Sequence, residues 1–205
     1  DKIMLVQPNY KYRAISDNAA ERNSVKEAFA ESILAGFRVS AENKGTVLVE
    51  ATAFFMKDAH GVGQTLISKK QGTYNIDAAR SAIYLPRTKS FPKNTEFETT
   101  LTFTGSGKGN HIRSVVPTPS IITVRQHHSF IELPDTNYKP RVFDPQSGFF
   151  YRSFYDYASP IGADMQKRFI VRHRLKKKNP AAALSEPVNP IVYYLDNGTP
   201  EPVRS

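Results

Sequence analysis

The residues best suited to metal or acid–base chemistry are the five histidines, His60, His111, His127, His128 and His173. None of them falls in HExxH, the pattern that sets two imidazoles one helical turn apart for zinc with a glutamate as base. His127 and His128 are neighbours in a strand-like run, so their side chains are expected on opposite faces, where they cannot easily share one ion. A structural or surface role is the expectation for each. Serine chemistry has no G-x-S-x-G elbow to work from. The run "GSGKGN" at 105–110 lacks the spacing and the closing Ser/Thr of a phosphate loop, and reads as a mobile hairpin tip. There is no cysteine, which excludes disulfides, thiolate metal sites and a cysteine nucleophile. The sequence therefore offers no catalytic residue, no cofactor-binding residue and no metal ligand set.

Two stretches suit binding better than catalysis. The first, "YKPRVFDPQSGFFYRSFYDY" at 138–157, holds eight Phe or Tyr in twenty residues. Such rings can form a stacking platform for sugars or bases, with Tyr151, Tyr155 and Tyr157 as its members. They can instead fasten an irregular segment to a core or to a neighbouring domain, which is the expected use here. The candidates for such an interdomain contact are Phe143, Asp144, Phe149, Phe150, Tyr151 and Tyr155. Asp144 with Arg141, and Asp156 with Arg152, are placed for local ion pairs or turns. The second stretch, "QKRFIVRHRLKKK" at 166–178, carries seven Lys or Arg and no acid. Its Lys167, Arg168, Arg172, Arg174, Lys176, Lys177 and Lys178 are a candidate polyanion patch, with a solvated strand edge and lysine-rich turn as the plainer reading. The whole chain carries a net charge of +9, of which +3 lies in residues 1–102 and +6 in residues 103–205. No nucleic-acid motif accompanies this charge, so nucleic acid is not the expected partner.

These residues need elements to hold them, and the patterning is mainly that of strands. "SAIYLPRT", "TEFETTLTFTG", "SIITVRQHHSFIEL", "RFIVRHRL" and "PIVYYLD" are rich in β-branched and aromatic residues and bounded by turn formers. Residues 29–56 fit both helical and alternating periods, but "ENKG" is a hairpin signal, so two long antiparallel strands are expected around residues 43–45, the second running through "TVLVEATAFF". The alternation of Glu96, Glu98 and Thr100 with Phe97, Thr99 and Leu101 predicts a strand with one wet face. Residues 16–28 are polar and suit a short helix or a loop, and 57–72 a loop with one helical turn. The fold class is mainly β, with antiparallel sheets, long hairpins and one or two short helices; α+β is the alternative. No run approaches the roughly 18 apolar residues of a membrane span.

The prolines in "KKKNPAAALSEPVNP" mark a linker and set a boundary at residue 187. Residues 1–187 read as one N-terminal β-rich domain, and 188–205 as a linker and the first strand and helix start of the next domain. In "GTPEPVRS", Thr199 suits an N-cap, Pro200 the first helical position and Glu201 the positive helix end, so a helix begins with almost no body. A longer parent chain is the expectation.

Several strings together carry a resemblance: "RSAIYLPRTKSFPKNTE", "QHHSFIELPD", "YKPRVFDPQSGFF", "RHRLKKKNPAAALSEPVNPIVYYLD" and "GTPEPVRS". They resemble a family of large secreted bacterial zinc-dependent metalloproteases, distantly metzincin-like. In that family this region is a domain of unknown function that precedes the HExxH catalytic domain. The resemblance covers essentially the whole chain. It implies a non-catalytic accessory or pro-segment-like region that packs on, supports or covers a downstream metallopeptidase domain of the same polypeptide. It implies zinc for that domain, a peptide substrate, and a secreted, periplasmic or cell-envelope setting. In a pro-segment role, Asp144, His127 or His128 would be the side chains able to meet the zinc. A polyanion- or carbohydrate-binding module is the alternative function.

Overall fold

The computed structural model describes residues 1–134 and 137–204. Asp135, at the end of "QHHSFIELPD", and Ser205, at the end of "GTPEPVRS", lie outside the described residues. The chain forms two compact units. One contains Asp1–Pro8 and Glu31–Pro134, the other Asn9–Ala30 and Asp135–Ser205. The fold is mainly β: the first unit is built largely from strands with short helices, while the second carries a small three-stranded sheet, short helices and long irregular stretches.

The first unit begins with β1 (Lys2–Gln7), and the second receives β2 (Tyr12–Arg13) and helix α1 (Ala19–Ala28). The chain then returns to the first unit with β3 (Ser32–Asn43) and β4 (Thr46–Val49). Sheet order is β1-β3-β4, antiparallel throughout. The hairpin falls where "ENKG" places it. Lys44 and Gly45 both have positive φ, at 48° and 78°, the two-residue turn whose twist matches the flanking strands. The second strand, however, stops at Val49. "TAFF" forms a helical turn, α2 (Thr52–Phe55), in place of the expected strand. Glu50 accepts a hydrogen bond from the Thr52 amide at 2.8 Å and starts the turn. In a strand Phe54 and Phe55 would face opposite ways. On the turn they reach Phe37 at 5.5 Å and Phe97 at 4.2 Å respectively.

Helix α3 (Val62–Ser68) follows, longer than the single turn expected, then β5 (Gly72–Ile83), β6 (Lys89–Ser90) and β7 (Asn94–Gly107). After α4 (Asn110–Val115), β8 (Ile121–Ile131) completes this unit. β7 is the central strand: β8 runs antiparallel along one edge, and β5 and β6 share the other. Leu101 and Phe103 of β7 are 0% and 1% exposed, and they pack with Tyr74, Ile112 and Ile122. Met56, Val62 and Leu66 close over the same core. The "GSGKGN" run is not a free tip. Gly105 and Gly107 are ladder residues, and a Cβ on them would fall 2.0 Å from the Thr73 carbonyl and 2.3 Å from the Pro119 carbonyl. Only glycine permits that approach.

The second unit continues with β9 (Tyr151–Asp156) and β10 (Gln166–Ile170) and ends with α5 (Glu201–Arg204). Its sheet order is β10-β9-β2, with β2 parallel to β9. Residues 171–176 leave the strand expected over "RFIVRHRL", and "PIVYYLD" forms no strand. The last helix begins at Glu201, one residue later than the cap at Thr199 requires.

Candidate functional site

The contact candidates lie on and around the second unit's sheet. Phe143 and Arg141 line the outer edge of β10: the Phe143 amide donates to the Arg168 carbonyl at 2.9 Å and the Ile170 amide to the Arg141 carbonyl at 3.0 Å. Asp144 then caps a short 3-10 turn, Pro145–Ser147, by accepting from the Gln146 amide at 2.8 Å. Gly148, in the left-handed region at φ 66°, ends that turn. Phe149 and Phe150 emerge from it into solvent, Phe150 at 88% exposure. Tyr151 rests against Phe143 at 4.5 Å. Asp156 is buried and takes the Ile15 amide at 2.8 Å and the Ala158 amide at 3.1 Å. Both Asp144 and Asp156 thus serve as turn formers.

Not all the rings face outward. Tyr12 stacks on Phe29 at 3.9 Å and on Tyr155 at 5.9 Å, and Tyr157 meets Phe29 edge-on at 5.2 Å. These stacks cover ring faces that a sugar would need, and they tie β2, the end of α1 and β9 together. A surface depression of about 460 Å³ lies beside Tyr157, lined by Ala14, Ala20, Glu21, Ser24 and Val25. It brings no acid and base into partnership.

The basic run does not form one track. Lys167 and Arg168 are successive residues of β10 and point to opposite faces. The Lys167 amine donates to the Asp164 carbonyl at 3.0 Å, and Arg168 donates to the Gln166 side chain at 2.8 Å. Arg172 donates to the Lys139 carbonyl at 2.9 Å and lies 5.2 Å over Tyr138. Lys177 donates to the carbonyls of Ala182 and Ala183 at 2.7 and 3.0 Å, closing the turn that follows. Arg174 is half-buried, and Lys176 and Lys178 are exposed beside that turn.

The first unit holds a charged cluster that sequence reading placed on a wet face. Glu96 and Glu98 of β7 stand opposite Ser129 and His127 of β8. Glu98 is only 3% exposed. Arg125 approaches it at 3.3 Å, Arg87 at 3.6 Å and His127 Nδ1 at 3.6 Å, while the Arg125 guanidinium lies 3.5 Å over the Tyr84 ring. Glu96 takes His127 Nε2 at 2.7 Å, the Asn94 amide at 2.6 Å and the Ser129 hydroxyl. Hydrogen bonds from Ser129 and Asn94 hold the Glu96 carboxyl below its usual range. This is not a catalytic relay, because Ser129 and His127 both bond the same oxygen of Glu96 and the imidazole does not take the serine proton. The signal that could have found the cluster is E-x-E in one strand against R-x-H-x-S in the next, readable only once the two are paired.

His127 and His128 do face opposite sides of β8, as their spacing predicts. His60, His111 and His173 are exposed. Among the described residues no group of three or more His, Asp or Glu is placed to hold a metal ion. No helix among them is long and apolar enough to cross a membrane.

Residues 1–178 match the family described as Domain of unknown function (DUF5117). The chain belongs to this family. No curated protein and no solved structure matches it. The family match ends within the basic turn, so residues 179–204, with the exposed "PIVYYLD" stretch, lie beyond it. In that stretch Tyr193, Tyr194 and Leu195 are 84%, 92% and 61% exposed.

Proposed function

We propose that this chain is a non-catalytic accessory region of a zinc-dependent metallopeptidase. It packs on a downstream catalytic domain of the same polypeptide, in a secreted, periplasmic or cell-envelope setting, and supports or covers the cleft that takes the peptide substrate. The observation that carries the reading is the run Ile191, Val192, Tyr193, Tyr194 and Leu195. All five are apolar or aromatic, all are exposed, and none is in a ladder. A strand apolar on both faces is the kind that is buried on both faces of a sheet. Left in water it is an adhesive surface, so a covering partner is the economical reading. Phe149 and Phe150, which follow the Asp144 turn, are further exposed rings of the same unit.

Packing is favoured over direct contact with zinc. The Nε2 of His128 is buried, His127 is engaged by Glu96, and Asp144 spends an oxygen on its own turn. Zinc would be held by the downstream domain, with these residues shaping what surrounds it. The reading is tested by mixing this chain with the separately expressed downstream domain. The expected result is a complex with a raised Tm or altered peptide turnover of that domain. An unchanged Tm together with unchanged turnover, at saturating concentrations of this chain, removes the proposal.

A further inference from the structure

His128 is half-buried and packed in a way that favours its neutral form. It projects from the core face of β8 towards Phe55 at 5.3 Å, Phe54 at 6.3 Å and the His60 ring at 5.7 Å, with Phe97 directly across the ladder. Its Nε2 is fully buried and has no hydrogen-bond partner among the described residues. A neutral imidazole can leave one nitrogen unpaired at modest cost. An imidazolium cannot, because both nitrogens then carry protons and a buried charge without an acceptor is expensive.

The neighbours do not relieve that charge. From the segment that follows α2 come Lys57, Asp58 and His60. Asp58 is spent on the amides of Val62 and Gly63, both at 2.8 Å, and on the Gln126 side chain at 3.1 Å. On the far face of the β7–β8 pair, Glu96 and Glu98 are spent on Asn94, Ser129, His127, Arg87 and Arg125. Among the described residues none of these carboxylates bonds His128. Burial first, then His60, then His127, hold the His128 pKa below its ordinary value.

The rings around His128 are the ones that hold residues 52–68 to the sheet. Phe54 and Phe55 come from α2, His60 from the loop, and Val62 and Leu66 of α3 continue into the core. We propose that residues 52–68 form an acid-released cover, held on the β7–β8 sheet while His128 is neutral and loosened when it takes a proton.

The direction in pH follows from linkage. The folded pKa lies below the unfolded 6.5, so the loosened state binds the proton first. The cover is fully held above the unfolded value and weakens as pH falls from there towards the folded one.

The test is hydrogen exchange of the full chain at about pH 7.5 and about pH 5.5, with intrinsic rates corrected for pH. Protection of residues 52–68 is expected to fall at the lower pH, while β1 and β3 keep theirs. His128→Phe keeps an aromatic ring and removes the proton site, so its profile should be flat. His60→Gln removes one repelling neighbour and should shrink the loss. Constant protection in the parent chain, equal loss across all strands, or an unchanged loss in His128→Phe overturns the proposal. If His128→Phe does not fold, His128→Gln, which also removes the proton site, is read in its place.

Discussion

Two stretches with the same strand-forming character meet opposite fates in this molecule. "IITVRQHHSFI" becomes β8 and pairs with β7 through an unbroken register from Ile131↔Asn94 to Ile121↔Thr104. "PIVYYLD" has at least as strong a preference for strand and forms no ladder among the described residues. β-propensity describes how well a side chain fits a pleated, half-buried surface, and it is realised only where a neighbouring strand supplies that surface. β7 supplies it for β8, and no described residue supplies it for residues 190–196.

The most direct way to break the comparison is to remove what β7 offers. Leu101→Ala deletes a side chain with no exposure from the centre of the core cluster. The expected loss is about 2–5 kcal/mol in urea unfolding. A loss under about 1 kcal/mol would mean that β7 does not organise this unit, and the contrast with the tail would lose its first term.

The same contrast explains what the sequence does and does not disclose. The 43–45 hairpin, β7 and β8 are legible because period, turn residues and partner agree. "ATAFF" misleads because continued alternation is compatible with a strand, whereas the Glu50 cap and the packing of Phe54 and Phe55 onto Phe37 and Phe97 favour a turn. Glu98 misleads because a carboxylate in alternation normally marks a solvated face. Its burial depends on Arg87, Arg125 and His127, which arrive from two other segments. Of the candidate contact residues, Phe149 and Phe150 are surface residues as an interface requires. Asp144 is a local turn former, which the adjoining Pro145 and Gly148 could have signalled. The basic run was legible as charge but not as one surface, since Lys167, Arg172 and Lys177 turn back onto local carbonyls.

Glu98→Ala sharpens the comparison next. It removes a buried acceptor shared by Arg87, Arg125 and His127, each of which keeps some access to water. A loss of about 1–3 kcal/mol is expected, smaller than for Leu101, since those cations can resolvate. Glu96 is tested through pH. Its carboxyl is held below the usual 4.5, so its contribution is present above that value and is lost as pH falls through the folded pKa. Glu96→Gln should flatten this acid limb of the stability curve. It should leave any loss that begins near pH 6.5 untouched, which separates it from the histidine effect.

The smallest effect is expected at the tail, and it bears most directly on function. Tyr193→Ser with Tyr194→Ser exchanges two rings that are 84% and 92% exposed. For the chain by itself the change in stability should stay within about 0.5 kcal/mol, since no core contact is lost. With the downstream domain present, the same change should weaken association or abolish the rise in its Tm, because rings of this size contribute most where a partner buries them. The two readouts need to be taken together. A large loss in the isolated chain would mean that the tail is already part of the fold, and a neutral result in both settings would leave the run without a partner to explain its composition.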